Sequence, residues 1–339
     1  MAPHFVVAVA ETSQVGEARR HATRLAESIG LGESDAGRVA LVATELATNL
    51  VHHAQGGRLM LAARAADAFG EPMPADVEMI AVDDGPGMGD VNACLRDGYS
   101  TAGTPGTGLG AVQRMADDVS ISSTPGRGSI VLARVRARTA AKPAAPPALR
   151  IGAISLPAPG ESVCGDAYAI RVAGHGARVL VADGLGHGPG AAEASTVAVQ
   201  VFDGAPRDAP AQLLERAHAP MRATRGAAAA MAQLDAAAGT LAFAGAGNIC
   251  GRIVSGVGDR TLLSQHGTLG LQIRRLVDSP YEWPEHALLV MHSDGIATRW
   301  TLSETTGLIQ CDPSVIAAWL LREHRRPRDD ATVVVIRRH

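Results

Sequence analysis

Glu45, Asn49 and His53 recur four residues apart, and further along the chain four aspartate motifs each stand where a strand begins or ends. On a helix, that spacing stacks side chains one turn above the next. A carboxylate and an amide so placed can divide two tasks. The amide oxygen ligates a Mg²⁺ carried by a nucleotide, and the carboxylate takes a proton from an attacking hydroxyl. The aspartates lie in Glu161-Ser-Val-Cys-Gly-Asp166, Asp183-Gly184-Leu-Gly-His187-Gly188, Ser293-Asp294-Gly295 and Arg328-Asp329-Asp330. A single Asp-Gly is ordinarily a turn. Four such motifs gathered at one end of a sandwich would repel unless hard divalent cations sat between them. Two bound ions acidify a bridging water and clamp the oxygens of in-line attack on phosphorus.

Two glycine-rich stretches accompany the first triplet. Val82-Asp83-Asp84-Gly85-Pro86-Gly87-Met88-Gly89 follows a predicted strand. Gly85 and Gly87 permit close backbone approach, and Asp83 at the strand end can accept a hydrogen bond from an adenine amino group. The second stretch carries Gly106, Gly108 and Gly110 and opens into a helix expected over Ala111–Asp117. Backbone N–H groups there suit a polyphosphate. A dinucleotide fingerprint would need a strand just before these glycines, and Asn92–Thr101 is polar and loop-like instead.

Positioning these residues takes two sets of elements. The first has a strand at Phe5–Ala10, helices at Val15–Ile29 and Asp35–Ala54, strands at Arg58–Ala65 and Val77–Asp83, and closing strands at Val119–Ser123 and Ser129–Val135. Val39, Val42, Leu46 and Leu50 give the second helix an apolar face. This is an α/β sandwich with helices on one face of a mixed sheet. Thr139–Leu149, with three prolines and no apolar period, reads as a linker. Strands then dominate, with helices at Gly190–Phe202, Pro210–Met221 and Pro313–Glu323, which implies two sheets sandwiched between helices. Phe202–Leu241 carries none of the motifs and reads as scaffold or as a substrate-facing surface.

Composition removes several classes. Lys142, in the proline-alanine stretch, is the only lysine. A P-loop, a eukaryotic-type kinase strand lysine and a Schiff-base enzyme all require one. A net charge of −3 gives no reason to expect nucleic acid or an anionic membrane as partner. No apolar run approaches a membrane span and the N-terminus lacks a signal pattern, so a cytoplasmic location is expected. Cys94, Cys164, Cys250 and Cys311 show no metal-ligand spacing and read as reduced thiols.

Residues 1–138 resemble the GHKL ATPase superfamily through their three ordered boxes. Within it, Thr44-Glu-Leu-Ala-Thr-Asn49, Asp97-Gly-Tyr-Ser-Thr101 and Ser123-Thr-Pro-Gly-Arg-Gly-Ser129 resemble the RsbT-like switch kinases of anti-sigma-factor and stressosome systems. The resemblance implies ATP with Mg²⁺, Glu45 as proton acceptor and Asn49 as Mg²⁺ ligand. It places Asp83 at adenine and Gly106, Gly108 and Gly110 at the phosphates, with His53 closing the first box. A histidine kinase would need a phosphoacceptor helix pair, and His21, followed by Ala22, lies on too short a helix.

Residues 150–339 resemble the PP2C-like phosphatases of the SpoIIE/RsbX branch, most specifically in Ala182-Asp-Gly-Leu-Gly-His-Gly188 and Arg328-Asp-Asp-Ala-Thr-Val-Val-Val335. That resemblance implies an α-β-β-α sandwich holding two Mn²⁺ or Mg²⁺ through Asp166, Asp183 with the Gly184 carbonyl, Asp294 and Asp329, with Asp330 sharing or replacing the last. Glu161 stands outside the ligand set, and His187 is either a general acid or part of a glycine-framed turn. Together the resemblances imply a bifunctional α+β switch regulator. One half would phosphorylate serine or threonine on a STAS-type partner, and the other would remove such phosphate, with a sigma factor or another switch protein downstream. The rival reading makes the first half a non-catalytic module that binds nucleotide or a sigma-factor-like partner.

Overall fold

The computed structural model describes residues 4–64, 75–95, 108–138 and 148–338. Its first part runs β1 (Phe5–Ala8), α1 (Thr12–Ser28), α2 (Glu33–His53), β2 (Arg58–Arg64), β3 (Asp76–Asp83), a short α3 (Val91–Cys94), α4 (Gly108–Met115), β4 (Asp118–Ser123) and β5 (Ser129–Arg136). The sheet order is β1-β2-β3-β5-β4, and every pairing is antiparallel rather than mixed. The reason is topological. β3 and β4 run in the same direction through the intervening helix, but β5 returns from β4 by a hairpin and inserts between them. The second glycine stretch is already helical at Gly108, three residues before the expected start.

α2 buries Val39, Val42, Ala43, Leu46, Ala47 and Leu50, the face expected from the three-and-four spacing. α1 buries only alanines, Ala18, Ala22 and Ala26, so it lies close upon its neighbours. Alternation along β3 divides its side chains between two cores. Val77, Met79 and Ala81 face α1 and α2, while Ile80 and Val82 face the other way.

The second part comprises β6 (Leu149–Leu156), β7 (Asp166–Ala173), β8 (Gly176–Gly184), α5 (Pro189–Gly204), α6 (Pro210–Met221), β9 (Ala227–Asp235), β10 (Thr240–Ala246), β11 (Cys250–Val254) and β12 (Asp259–Leu262). The two-residue strands β13 (Gly267–Thr268) and β14 (Gln272–Ile273) follow, then β15 (Ser279–Glu282), β16 (Leu288–His292), α7 (Pro313–His324) and β17 (Ala331–Arg338). Leu149, expected to close the linker, already belongs to β6. Two five-stranded sheets result, β15-β10-β9-β8-β7 and β12-β11-β16-β17-β6. They face one another across Phe243, Trp283, Leu289 and Val334. Phe202, Leu213, Leu214 and Met221 fasten α5 and α6 to the outside of the first of these sheets.

α7 occupies an unexpected place. Every residue from Pro313 to Leu321 is buried. Ile316, Trp319 and Leu320 share one apolar core with Ile154, Val333 and Val335 and with Ile80, Val82 and Leu132 of the first sheet. A helix apolar all round must be covered all round. The chain therefore stacks in six layers, with α7 as a shared filling between the first sheet and the β17 sheet. Burying each large aliphatic or aromatic side chain there contributes about 1.5–3 kcal/mol.

Candidate functional sites on either side of α7

The first site lies on the α2 face of the β1–β5 sheet. Glu45 and Asn49 project one turn apart toward the start of α4. A Cβ built on Gly108 would stand 3.0 Å from Asn49 Oδ1 and 3.2 Å from Glu45 Oε2, tighter than ordinary contact, so the α4 backbone itself lies close to both side chains. Among the described residues, Asn49 Nδ2 is buried without a hydrogen-bond partner. An unsatisfied amide beside a carboxylate and a helix start is an environment suited to a polar ligand. His53, in the last turn of α2, is exposed.

Asp83 ends β3 and accepts the Gly85 N–H at 2.8 Å. Burial pushes its carboxyl above the ordinary range, with the Gly85 bond pulling the other way. Two glycines hold its surroundings. Gly85 packs against the His53 carbonyl, which a Cβ would approach to 2.7 Å. Gly128, at φ +73°, lies where a Cβ would fall 2.0 Å from the Asp83 carbonyl oxygen. Gly87, at φ +69°, sits equally tight on the Thr124 carbonyl. Gly110 is buried in α4. Gly106 and Asp97–Thr101 lie outside the described residues.

The second site forms at one end of the β7–β8 edge. Asp166 and Asp183 are register partners across those strands. Burial, then the charges of Asp166, Asp294 and Asp329, push Asp183 well above the carboxylate range. Burial raises Asp166 as well, and Asp330 and Asp329 add to the effect. The aspartates therefore share one electrostatic neighbourhood. Among the described residues no three acidic, histidine or cysteine groups close into a finished cage for one ion.

Asp329 and Asp330 part company here. Asp329 is half-buried, and Asp294 contributes to raising its carboxyl after desolvation. Asp330 is buried, and its Oδ1 accepts the Ala158 N–H at 2.8 Å. Its Oδ2 is buried without a partner. Gly184 is required by backbone proximity, since a Cβ there would meet the Ala191 carbonyl at 2.0 Å. Glu161 reaches His187 (Oε1 to Nδ1, 2.7 Å) in a pair that leaves His187 largely exposed.

Several supporting groups carry no motif. Ser293 Oγ donates to Asp166 Oδ2 at 2.6 Å and accepts the Thr332 N–H at 3.0 Å. Asn248 Nδ2 donates to Asp294 Oδ2 at 2.6 Å. His292, which burial lowers to about 4, is neutral. It accepts from Trp300 Nε1 at 3.1 Å and donates through Nδ1 to the Ser293 carbonyl at 2.8 Å. Exposed Arg225 lies over the Asp183–Gly190 turn, where a Cβ on Gly190 would meet its Nε at 2.7 Å. The only sequence signal for Asn248 and Arg225 is a polar residue beside glycine at a strand end, which is too common to select them.

Residues 8–134 match the histidine kinase-like ATPase domain family, and residues 173–339 match the family of stage II sporulation protein E (SpoIIE). Serine/threonine-protein kinase RsbT of Bacillus subtilis (strain 168) is 31% identical over 116 residues, covering 34% of this chain and 84% of RsbT. The chain belongs to the RsbT kinase family. Its other half is a SpoIIE-type PP2C phosphatase domain. Two solved structures each superpose over 56% of this chain with a TM-score of 0.52. One, 29% identical and covered over 99% of its length, belongs to "The bacterial stressosome: a modular system that has been adapted to control secondary messenger signaling". The other, 21% identical and covered over 96%, is RsbX in complex with magnesium. This RsbT-family chain is thus an enzyme, a PP2C-type phosphatase domain joined to a domain homologous to a serine/threonine kinase. No helix among the described residues is long and apolar enough to cross a membrane.

Proposed function

We propose that the two halves run opposed reactions on a switch protein of the STAS type, with sigma-factor control downstream, and that the chain divides at residues 139–149. The observation that carries the kinase half is the meeting of Glu45 and Asn49 with the Gly108 backbone at the start of α4. ATP would bind with its adenine amino group on Asp83 and its phosphates along Gly106, Gly108 and Gly110, where the α4 N-terminus presents N–H groups. The otherwise unsatisfied Asn49 amide would turn its oxygen toward the nucleotide's Mg²⁺. Glu45, half-buried one turn away, would take the proton from the attacking serine or threonine hydroxyl. Gly85 and Gly87 keep the adenine wall thin, and His53 stands at the exposed rim.

For the phosphatase half, the clustered aspartates fit a pair of hard cations, because their carboxyls are raised by burial and by one another. Asp166, Asp183 with the Gly184 carbonyl, Asp294 and Asp329 would hold two Mn²⁺ or Mg²⁺. When bound, such ions supply an acidified water and neutralise phosphoryl oxygens. Ser293 and Asn248 fix Asp166 and Asp294 in direction. Asp330 gives one oxygen to the Ala158 N–H and supports the turn, while Asp329 stands beside Asp294, which makes Asp329 the better ligand. Arg225 is placed to draw the substrate phosphate onto the turn.

The test is incubation of the full chain with purified STAS proteins, read by mass spectrometry with and without Mg·ATP. A phosphate on serine or threonine that depends on Glu45, and its removal after ATP is exhausted when Mn²⁺ is present, is the expected result. Absence of transfer from the wild type to every such partner would make the first half a binding module.

A further inference from the structure

The seam between the two halves holds a cavity of about 260 Å³ that neither catalytic site uses. It lies on the α7 face of the first sheet, opposite the nucleotide face, because Val82 and Met60 line it while Asp83 turns the other way. Its walls are apolar, from those two residues, Leu156 and Leu321. Three guanidinium groups interrupt them. Arg58 comes from β2, and Arg322 and Arg325 come from the end of α7 and just beyond.

The three arginines are unequally satisfied. Arg322, with a side chain only 7% exposed, donates to Glu323 and to the Asp83 carbonyl oxygen. Arg325 donates through Nη2 to the carbonyls of Pro157 and Asp329, but its Nε is buried with no acceptor. Arg58 makes no side-chain hydrogen bond or ion pair among the described residues. The one carboxylate lining the cavity, Glu161, is engaged by His187. Arg58 and Arg325 thus stand on one cavity, with no carboxylate bonded to either guanidinium among the described residues. Guanidinium groups held this way recognise oxyanions through paired N–H donors.

We propose that this cavity binds a small organic oxyanion, its phosphate or carboxylate head between Arg58 and the free Nε of Arg325 and its apolar body against Met60, Val82 and Leu156. Because one cation comes from each half, the ligand bridges the seam. Its neighbours touch both sites: Arg322 holds the carbonyl of Asp83, and Arg325 holds that of Asp329. The volume suits a small, metabolite-sized molecule.

The experiment uses the full chain in EDTA without nucleotide, titrated calorimetrically with phenyl phosphate, benzoate and inorganic phosphate at up to millimolar concentration. The two aromatic probes separate a phosphate head from a carboxylate, and binding of either supports the site. Arg58→Ala should weaken that binding about tenfold or more without shifting the melting temperature, since Arg58 bonds to nothing that folding requires. The double variant Asn49→Ala, Asp183→Asn should bind as the wild type does. Three results would overturn the proposal: no heat with either aromatic probe, equal affinity in Arg58→Ala, or loss of binding in the double variant. Inorganic phosphate binding as tightly as phenyl phosphate would remove the apolar wall from the recognition.

Discussion

Arg134 in β5 and Asp312 ahead of α7 form a two-pronged ion pair, Nη1 to Oδ2 and Nη2 to Oδ1, each at 2.7 Å and nearly removed from solvent. Asp312 also caps α7 by accepting the Ser314 N–H at 2.9 Å. Ser314 Oγ and Arg134 Nε both donate to Glu78. The polar end of the seam is thus one connected network beside the apolar contact that α7 makes.

Breaking that network should loosen the two halves together. Arg134→Ala leaves buried Asp312 without its cation and Glu78 with only His4 at 3.4 Å and Arg64 at 3.8 Å beside the Ser314 hydroxyl, and should cost about 3–5 kcal/mol in chemical denaturation. The pH dependence has a definite sign. Burial works to raise Asp312 and Glu78, but the arginines beside them overcome it and hold both below their ordinary range. Their stabilisation is therefore full above the unfolded carboxylate range and is lost as pH falls through the lower folded values. The melting temperature should drop below about pH 4, and less steeply in Asp312→Asn than in the wild type. Equal acid sensitivity of the two proteins would remove Asp312 from the account.

Glu45→Gln keeps shape and removes the proton acceptor. Phosphotransfer to a STAS partner should fall about 10²–10⁴-fold while ATP binding holds. Asn49→Ala should instead weaken Mg·ATP binding. Equilibrium binding of a fluorescent nucleotide separates the two, and an equal loss of affinity in both would merge their roles.

What the sequence made legible followed from local rules. The α2 face could be read from Val39, Val42, Leu46 and Leu50, and Asp183 and Asp294 from the glycines that follow them at strand ends. β9 could not. Its Ala227–Ala230 run favours helix, yet it is a central strand with α5 and α6 on one side and the facing sheet on the other. Small side chains fit where both faces are tightly covered, and tertiary packing overrides propensity there. The seam was equally hidden, although Val315–Leu321 carried its signal. An all-apolar helix surface states that two layers cover it without saying which.

Asp183→Asn should separate folding from chemistry at the second site. In metal-free protein it replaces a carboxyl whose ionisation burial and its neighbours oppose, so the melting temperature should rise or hold. Mn²⁺ should stabilise the wild type and leave the variant unmoved. Release of phosphate from a phosphoserine peptide should vanish with it. A full Mn²⁺-induced shift in the variant would take Asp183 out of the ligand set.

Arg225→Ala tests substrate capture. The side chain is exposed and bears on the Asp183–Gly190 turn, so its loss should leave folding and Mn²⁺ binding intact. KM for a phosphopeptide should rise about tenfold, with kcat changing less. A fall in kcat at constant KM would place its contact in the transition state alone.

Gly128→Ala probes how the nucleotide wall is held from behind. At φ +73° an alanine is strained, and its Cβ would collide with the Asp83 carbonyl that Arg322 also grips from α7. The backbone of Asp83 must then move, carrying its carboxylate away from where adenine would lie. The expected outcome is a loss of about 1–3 kcal/mol in stability and a nucleotide affinity lowered further than stability alone accounts for. Arg322→Ala should reproduce part of the affinity loss from the other side of the sheet. Full nucleotide binding in both variants would show that the Asp83 carbonyl is held by something other than these two contacts.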